Sequence, residues 1–284
     1  MAITDLTNVQ YQIATKWSPR FTKELREQLL LGSLVNKDYE GEIRMPGDTV
    51  RVSQVNAPTG ELKTVGTDAD TFSPEAFSTS YVDIKANKRA VAAYEFNDLV
   101  HIQSLIDQGN PEIEASLRYA MSKQINDYLY SLVSPSASAP DHQIVVTDMN
   151  AAAVSGIRKL AAQAKWSMDK GWYLLVDPSY YSDILDDTTL SSSDFGAQDA
   201  PMIGGQLARQ RFGFNIFEDN SRSTDYGLAF HPDFMHLVMQ TEVRTKVSDQ
   251  HSNHRFGYTM SVDVVFGAKL GISGDVKHIV ATGS

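Results

Sequence analysis

The chain has 284 residues, 42% of them hydrophobic and 21% charged, with a formal net charge of −10. That is apolar material for one large domain or two modest ones, and it excludes wholesale disorder. The acidic balance argues against DNA or RNA as a tight, direct ligand, because phosphates call for Lys and Arg, but not against a protein that surrounds DNA without gripping it.

There is no cysteine, which removes disulfides, thiol catalysis and cysteine metal sites together. The opening "MAITDLTNVQYQIATKW" has no basic region followed by an apolar stretch, so it does not read as a signal peptide. No run of about 18 apolar residues is present to span a membrane.

Residues 1–37 read as an extended arm followed by an amphipathic helix over about 19–31, because Trp17, Phe21, Leu25 and Leu29 recur every four positions. Residues 43–55 and 77–96 read as strands. The segment joining them holds Pro58, Gly60, Gly66 and Pro74 among charged residues. It is too long for an ordinary loop and reads as a two-stranded arm that leaves the core. "GNPEIEASLRYAMSKQINDYLYSLV" reads as one long helix over 111–133. Asn110 is placed as its cap, Pro111 at its first position, and Glu112 and Glu114 at the positive end of its dipole. Ile113, Leu117, Met121, Ile125, Leu129 and Leu132 form its apolar stripe. "SPSASAP" ends it.

A separate α/β unit follows: a helix capped by Thr147 or Asp148, the buried strand "GWYLLVDP", a short helix from Pro178, an exposed loop over 190–205, then a short helix, a strand and the apolar run "LAFHPDFMHLVMQ". From about Glu242 the chain reads as strands.

Catalytic and metal motifs do not assemble. His251 and His254, with Asp249 nearby, lack the helical Glu of a hydrolytic zinc site and read as a hairpin loop. His231 and His236 flank Asp233 and read as surface or strand-end residues. "GAKLGISGD" has neither P-loop nor dinucleotide spacing and reads as turn glycines. No cofactor is expected.

The order of parts carries a resemblance. "VNKDYEGEIRMPGDTVRV", a long acidic hairpin, "KANKRAVAAYEFNDLV", a helix ending "MSKQINDYLYSLV", "GWYLLVDPSYYSDILDD" and "VDVVFGAKLG" together resemble the major capsid proteins of tailed bacteriophages with the Hong Kong 97 type fold. The resemblance implies an α+β chain with an N-terminal arm over 1–37 and an extended loop over 38–86. It implies a peripheral domain over 87–143 and 239–284, including a spine helix over 111–133, and an axial domain over 144–238. It implies a structural, non-enzymatic protein, a homo-oligomer of hexamers and pentamers in an icosahedral virion capsid. Such a shell is assembled in the host cytoplasm and encloses double-stranded DNA, with scaffolding, portal and decoration proteins as partners and no membrane. Some members cross-link an extended-loop Lys to a neighbour; Lys63 is the only Lys over 45–84, without a matching Asn and Glu, so cross-linking is not expected here. Two alternatives stay open: a cellular encapsulating shell of the same fold, and an enzyme on the α/β unit.

Within 38–77 the acids Asp38, Glu40, Glu42, Asp48, Glu61, Asp68, Asp70 and Glu75 outnumber Arg44, Arg51 and Lys63. The stretch "KANKR" is basic through Lys85, Lys88 and Arg89, and Arg118 and Lys123 lie on the long helix. The expectation is that the acidic arm lies across such bases on an adjacent copy. Trp17, Phe21, Asp48, Arg51, Glu61, Lys63, Asp68, Asp70, Lys85, Lys88, Arg89, Arg118 and Lys123 are then the contact candidates.

Overall fold

A computed structural model describes residues 26–27, 29–39, 49–64, 73–97, 111–133, 143–191, 210–222, 225–240, 243–249, 256–271 and 277–283. Three stretches, 174–176, 228–230 and 279–281, are apolar and buried without interruption. A strand buried on one face alternates; a strand buried on both does not. All three lie in one sheet, and each feeds two cores.

The helices are α1 (Leu31–Leu34), α2 (Pro111–Leu132), α3 (Ala151–Gln163), α4 (Pro178–Asp186) and α5 (Thr188–Ser191). The strands are β1 (Thr49–Val55), β2 (Thr79–Lys85), β3 (Lys88–Asn97), β4 (Gln143–Val145), β5 (Trp172–Val176), β6 (Gln210–Arg211), β7 (Phe214–Glu218), β8 (Tyr226–Phe230), β9 (Met235–Met239), β10 (Arg244–Asp249), β11 (Gly257–Leu270) and β12 (His278–Thr282). A six-stranded sheet has the order β4-β12-β8-β5-β7-β6, parallel at β4/β12 and β5/β7 and otherwise antiparallel. A second, antiparallel sheet has the order β10-β11-β3, with β9 also pairing β11. The third is the hairpin β1-β2, in register from Thr49 opposite Lys85 to Val55 opposite Thr79. The chain is therefore α+β.

One face of the six-stranded sheet (Leu174, Val176, Phe214, Ala229, Ile279, Ala281) packs on Val154, Ile157 and Ala161 of α3 and on Tyr180 and Ile184 of α4. The other face (Leu175, Leu228, Phe230, Val280) joins the core of α2 and β11. There Leu117, Met121, Ile125 and Leu129 of α2 meet Met260, Val262, Val264 and Phe266. With its 22 residues, α2 is about 33 Å long. Asn126 and Tyr130 are buried beside the apolar stripe. Asn126 donates to Ser221 Oγ at 3.3 Å, and the Tyr130 hydroxyl donates to the buried Asp219. The Tyr130 phenol is pushed well up by burial and by the Asp219 charge.

Several expectations change. The run 77–96 is two strands in different sheets, broken at Ala86 and Asn87. The cap of α3 is Asn150, which accepts from Ala153 N–H at 3.0 Å, and not Thr147 or Asp148. Two of the nearby backbone donors are met from the end of α4: Asp183 accepts from Met149 N–H at 3.1 Å and Asp187 from Ala151 N–H at 2.7 Å. Arg26, Glu27, Leu29 and Leu30 are not helical, and the short α1 begins at Leu31, where the expected helix was to end. Sheet membership also cuts across chain order. β12 lies between β4 and β8, while β9 pairs β11. The exposed loop expected over 190–205 does not begin at Leu190, which lies in α5 and is buried; the Asn110 cap, the segment 134–140, the rest of that loop over 192–205 and the short helix expected before Gln210 lie outside the described residues.

Asp177 is buried at the junction of β5 and α4 and accepts from four backbone N–H groups, those of Ser179, Tyr180, Asp225 and Tyr226, at 3.1 to 3.3 Å. Asp177→Ala leaves these donors unmet and is expected to lower unfolding free energy by about 2–4 kcal/mol in denaturant titration, with Asp177→Asn retaining part of the loss.

Candidate functional site: the hairpin arm and its joint

Alternation in β1 and β2 puts Val50, Val52, Val82 and Ile84 on one face. These four are buried against Val238 of β9, with Tyr39 and Ala86 beside them. The arm thus has a small core of its own at the root. Farther out, Val55, Leu62, Phe77 and Tyr81 are exposed, Leu62 completely at 102%. Pairing continues past Val55 through polar groups. Asn56 N–H donates to Ser78 O at 3.1 Å, Ser80 Oγ donates to Asn56 Oδ1 at 3.0 Å, and Thr59 N–H donates to Glu75 at 3.0 Å.

The return to the body is tight. Asn87 N–H donates to Lys85 O at 3.0 Å, which turns the chain from β2 into β3. Gly267 of β11 packs against this corner, where an added Cβ would lie 2.1 Å from the Lys85 carbonyl oxygen. Only glycine fits that approach.

The contact candidates are not gathered in one place. Arg51 pairs with Asp83 across the hairpin at 2.7 Å and lies over the Tyr81 ring at 4.2 Å. Its hydrogen bond holds the Asp83 carboxyl below the usual range. Lys63 pairs with Glu61 at 3.3 Å. Arg89 and Arg244 both reach Asp263 at 2.6 Å, on the face of the second sheet away from α2, and their hydrogen bonds lower its pKa. Arg118 pairs with Glu114 one turn away at 2.7 Å, and Lys123 with Glu27. Lys88 lies over the Tyr128 ring at 5.3 Å, and Lys85 is exposed at the end of β2. Five of the expected bases therefore hold carboxylates of their own chain. Trp17, Phe21, Asp48, Asp68 and Asp70 lie outside the described residues.

His231 and His236, expected at the surface, are buried at 6% exposure each. They form the joint behind the arm root. Asp233 N–H donates to His231 Nδ1 at 3.2 Å, so the ring proton sits on Nε2, 3.2 Å from Ser167 Oγ. Asp233 accepts from Lys170 at 2.9 and 3.0 Å and from Asn36 at 2.9 Å. Tyr39 meets His236 edge to face, with centroids 5.4 Å apart. Asn36 exchanges backbone hydrogen bonds with β9, its N–H donating to Met235 O and its carbonyl accepting from Leu237 N–H. A histidine inside the continuous apolar run "FMHLVM" was the available signal for burial. Among the described residues no group of three His, Cys, Asp or Glu is arranged to hold a metal. His251 and His254 lie outside them, while Asp249 is exposed on β10.

No family model and no curated protein matches the sequence. Solved structures do match along its whole length. A chain from the capsid structure of the cyanophage P-SCSP1u superposes with TM-score 0.73 at 14% identity, covering 97% of this chain and 94% of that one. The cyanophage Pam1 capsid asymmetric unit gives 0.72 at 12% identity, covering 98% of both chains. A structure from Mycobacterium phage Che8 gives 0.71 at 22% identity, covering 96% and 98%. The chain has the fold of phage capsid proteins.

Two outcomes follow from the joint. Gly267→Ala is expected to force the corner off β11, read as faster protease cleavage within residues 49–64 while the far-ultraviolet spectrum is kept. Burial lowers the pKa of both histidines against the pull of Asp233, with Lys277 and Lys170 adding to the lowering, Asp169 opposing it at His231 and Asp38 at His236. A neutral buried His means that the unfolded chain binds more protons once pH falls below about 6.5. Stability is therefore expected to be level above about pH 7.5 and to fall toward pH 5.5. A His231→Gln, His236→Phe double variant should flatten that slope in denaturant midpoints measured across the range.

Proposed function

We propose that this chain is a major capsid protein that assembles with copies of itself into an icosahedral shell around double-stranded DNA. The observation that carries the reading is likeness to phage capsid chains over nearly the full length of both partners. In this reading α2 is the spine helix and the second sheet its companion in the peripheral domain. The six-stranded unit with α3 and α4 is the axial domain, and the hairpin from Thr49 to Lys85 is the extended loop. The role is structural and not enzymatic: of the two raised phenols, Tyr130 is buried and Tyr226 half-buried between packed elements, which is where a structural role would put them.

Shell building needs surface that one copy leaves uncovered, because closed assemblies repeat the same contacts between identical chains. Val55, Leu62, Phe77 and Tyr81 supply such surface on the arm. Contact through these apolar groups is better supported than contact through the arm's charges, since Arg51, Lys63, Asp83 and Glu75 are already engaged within it. Electron microscopy of the purified protein is expected to show uniform closed shells, and a stable monomer under all conditions would overturn the reading. A Leu62→Asp, Phe77→Asp variant should keep the denaturant midpoint of the single chain and lose assembly. Denaturing gels of particles should show a single band, as non-covalent assembly requires.

A further inference from the structure

Two residues make the turn between β6 and β7. Arg211 faces Phe214 and Gln210 faces Asn215, so Phe212 and Gly213 form the whole loop. Both have positive φ, +49° and +85°, as a two-residue hairpin turn of the primed kind requires. Asn or Asp before Gly is the ordinary choice for such a turn. A bulky aromatic ring at its first position works against the backbone. Phe212 is also 38% exposed. A side chain held against its backbone preference and still facing water points to a contact outside the chain.

A cavity of about 170 Å³ opens beside this turn, lined among the described residues by Met168, Gly171, Trp172 and Gly213. Trp172 begins β5 next to Phe214 of β7, so the cavity sits at the start of two adjacent strands. Trp172 is buried and Met168 is 60% exposed, which puts the indole at the inner end and Met168 at the rim. Gly171, with φ +71°, and Gly213 form walls of bare backbone that other residues would strain. Behind Gly213, Arg158 donates to Phe212 O and lies 5.8 Å from the Trp172 ring. The indole N–H already donates to Ser167 O at 2.7 Å, so these groups offer apolar and backbone surface. At about 30 Å³ per water the space would hold a few waters, or one aliphatic side chain in their place.

Self-complementarity sets the occupant. Where identical chains repeat one heterologous contact, a group that protrudes from one copy meets a recess on another. Leu62 protrudes furthest from the arm, at 102% exposure, so this chain's own arm does not fill the cavity. Its neighbours Glu61 and Lys63 pair with each other at 3.3 Å. The leucine can therefore enter an apolar recess while the charges beside it stay paired at the surface.

From this juxtaposition we propose that the cavity receives Leu62 from the arm of a second copy, with Met168 at its rim and Phe212 beside it. The contact rests on the reading of the chain as a self-assembling shell protein, and it names the place on the six-stranded unit where a neighbour's arm lands. Phe212 then keeps its unfavoured turn position because the ring is covered only in the assembly.

The chain has no cysteine, so two introduced ones report on this contact alone. Leu62→Cys and Met168→Cys are made in separate full-length chains, which are mixed, assembled and oxidised. Side chains in contact come within disulfide reach, and a two-chain band that disappears on reduction is expected on denaturing gels. Leu62→Cys mixed with Val91→Cys, an exposed position on the second sheet, is expected to stay unlinked. Phe212→Gly should keep or raise the melting temperature, since glycine relieves the left-handed backbone. It should also raise the protein concentration needed for assembly about tenfold, so that its effect is not a loss of fold. Shells that form without the linked band overturn the pocket and leave the shell reading standing. Equal linking to Val91→Cys overturns the pocket as well. So does a disulfide that closes within one unassembled chain carrying both substitutions, because the chain's own arm is then the occupant. A chain that never assembles overturns the pocket and the shell reading together.

Discussion

Burial of the six-stranded sheet on both faces is the constraint from which the remaining architecture follows. Leu174 and Val176 point to α3 and α4, and Leu175 between them points to α2. Leu228 and Phe230 divide from Ala229 in the same way, and Val280 from Ile279 and Ala281. A slip of one residue in any of these strands would exchange the two sets, and in β8 it would put Ala229 where Leu228 and Phe230 are needed. The layer of α2 and β11 is thus not a neighbour of the α/β unit but the cover of its second face. Polar groups finish the contact at its edge, where Tyr130 and Asn126 of α2 reach Asp219 and Ser221 beyond β7.

The arm depends on that body through few atoms. Val238 belongs to β9, whose neighbours Met235 and Leu237 lie in the α2 core. One strand therefore serves the main core with alternate side chains and the arm root with another. Gly267 fixes the corner from β11. The arm's ion pairs are exposed and close on themselves, and such pairs add little stability. Their effect, among the described residues, is to leave the arm with few unspent charges. On the proposed reading, contact with a neighbouring copy then falls to apolar shape and to groups such as Leu62 and Phe77, which fits the way a few buried anchors dominate interfaces.

Periodic elements were legible from the sequence because their signal is local. The four-residue spacing of Leu117, Met121, Ile125 and Leu129 and the charges at the start of α2 needed no partner to be read. What failed was non-local. Ala86 is neutral and a lone Asn87 is only a weak turn signal, so the break there is fixed by β3 joining β11 and by the approach of Gly267. β12 reads as one more closing strand, and its place between β4 and β8 is decided by packing far along the chain. His231 and His236 looked superficial because the segment that covers them, around Asn36 and Tyr39, comes about 200 residues earlier, Asn36 and Asp233 being 197 apart. The bases of the candidate surface were read correctly as charges but not as already engaged, since Arg89 and Asp263 are 174 residues apart.

Identity of 12 to 22% alongside nearly complete overlap of both chains means that little more than pattern is shared with the matching structures. A two-faced sheet, a long striped helix and a hairpin with a buried root can each be written with many residue sets, so no short motif marks the fold. The same reasoning bears on the arm. A hairpin on its own is marginal in water, and among the described residues the core of the arm lies at its root. Covering Val55, Leu62, Phe77 and Tyr81 is a hydrophobic gain open to the distal part. On the proposed reading, fixing the arm and forming a contact along it are therefore coupled events. The ordering cost subtracts from affinity, so any interaction that steadies the arm before contact strengthens the contact.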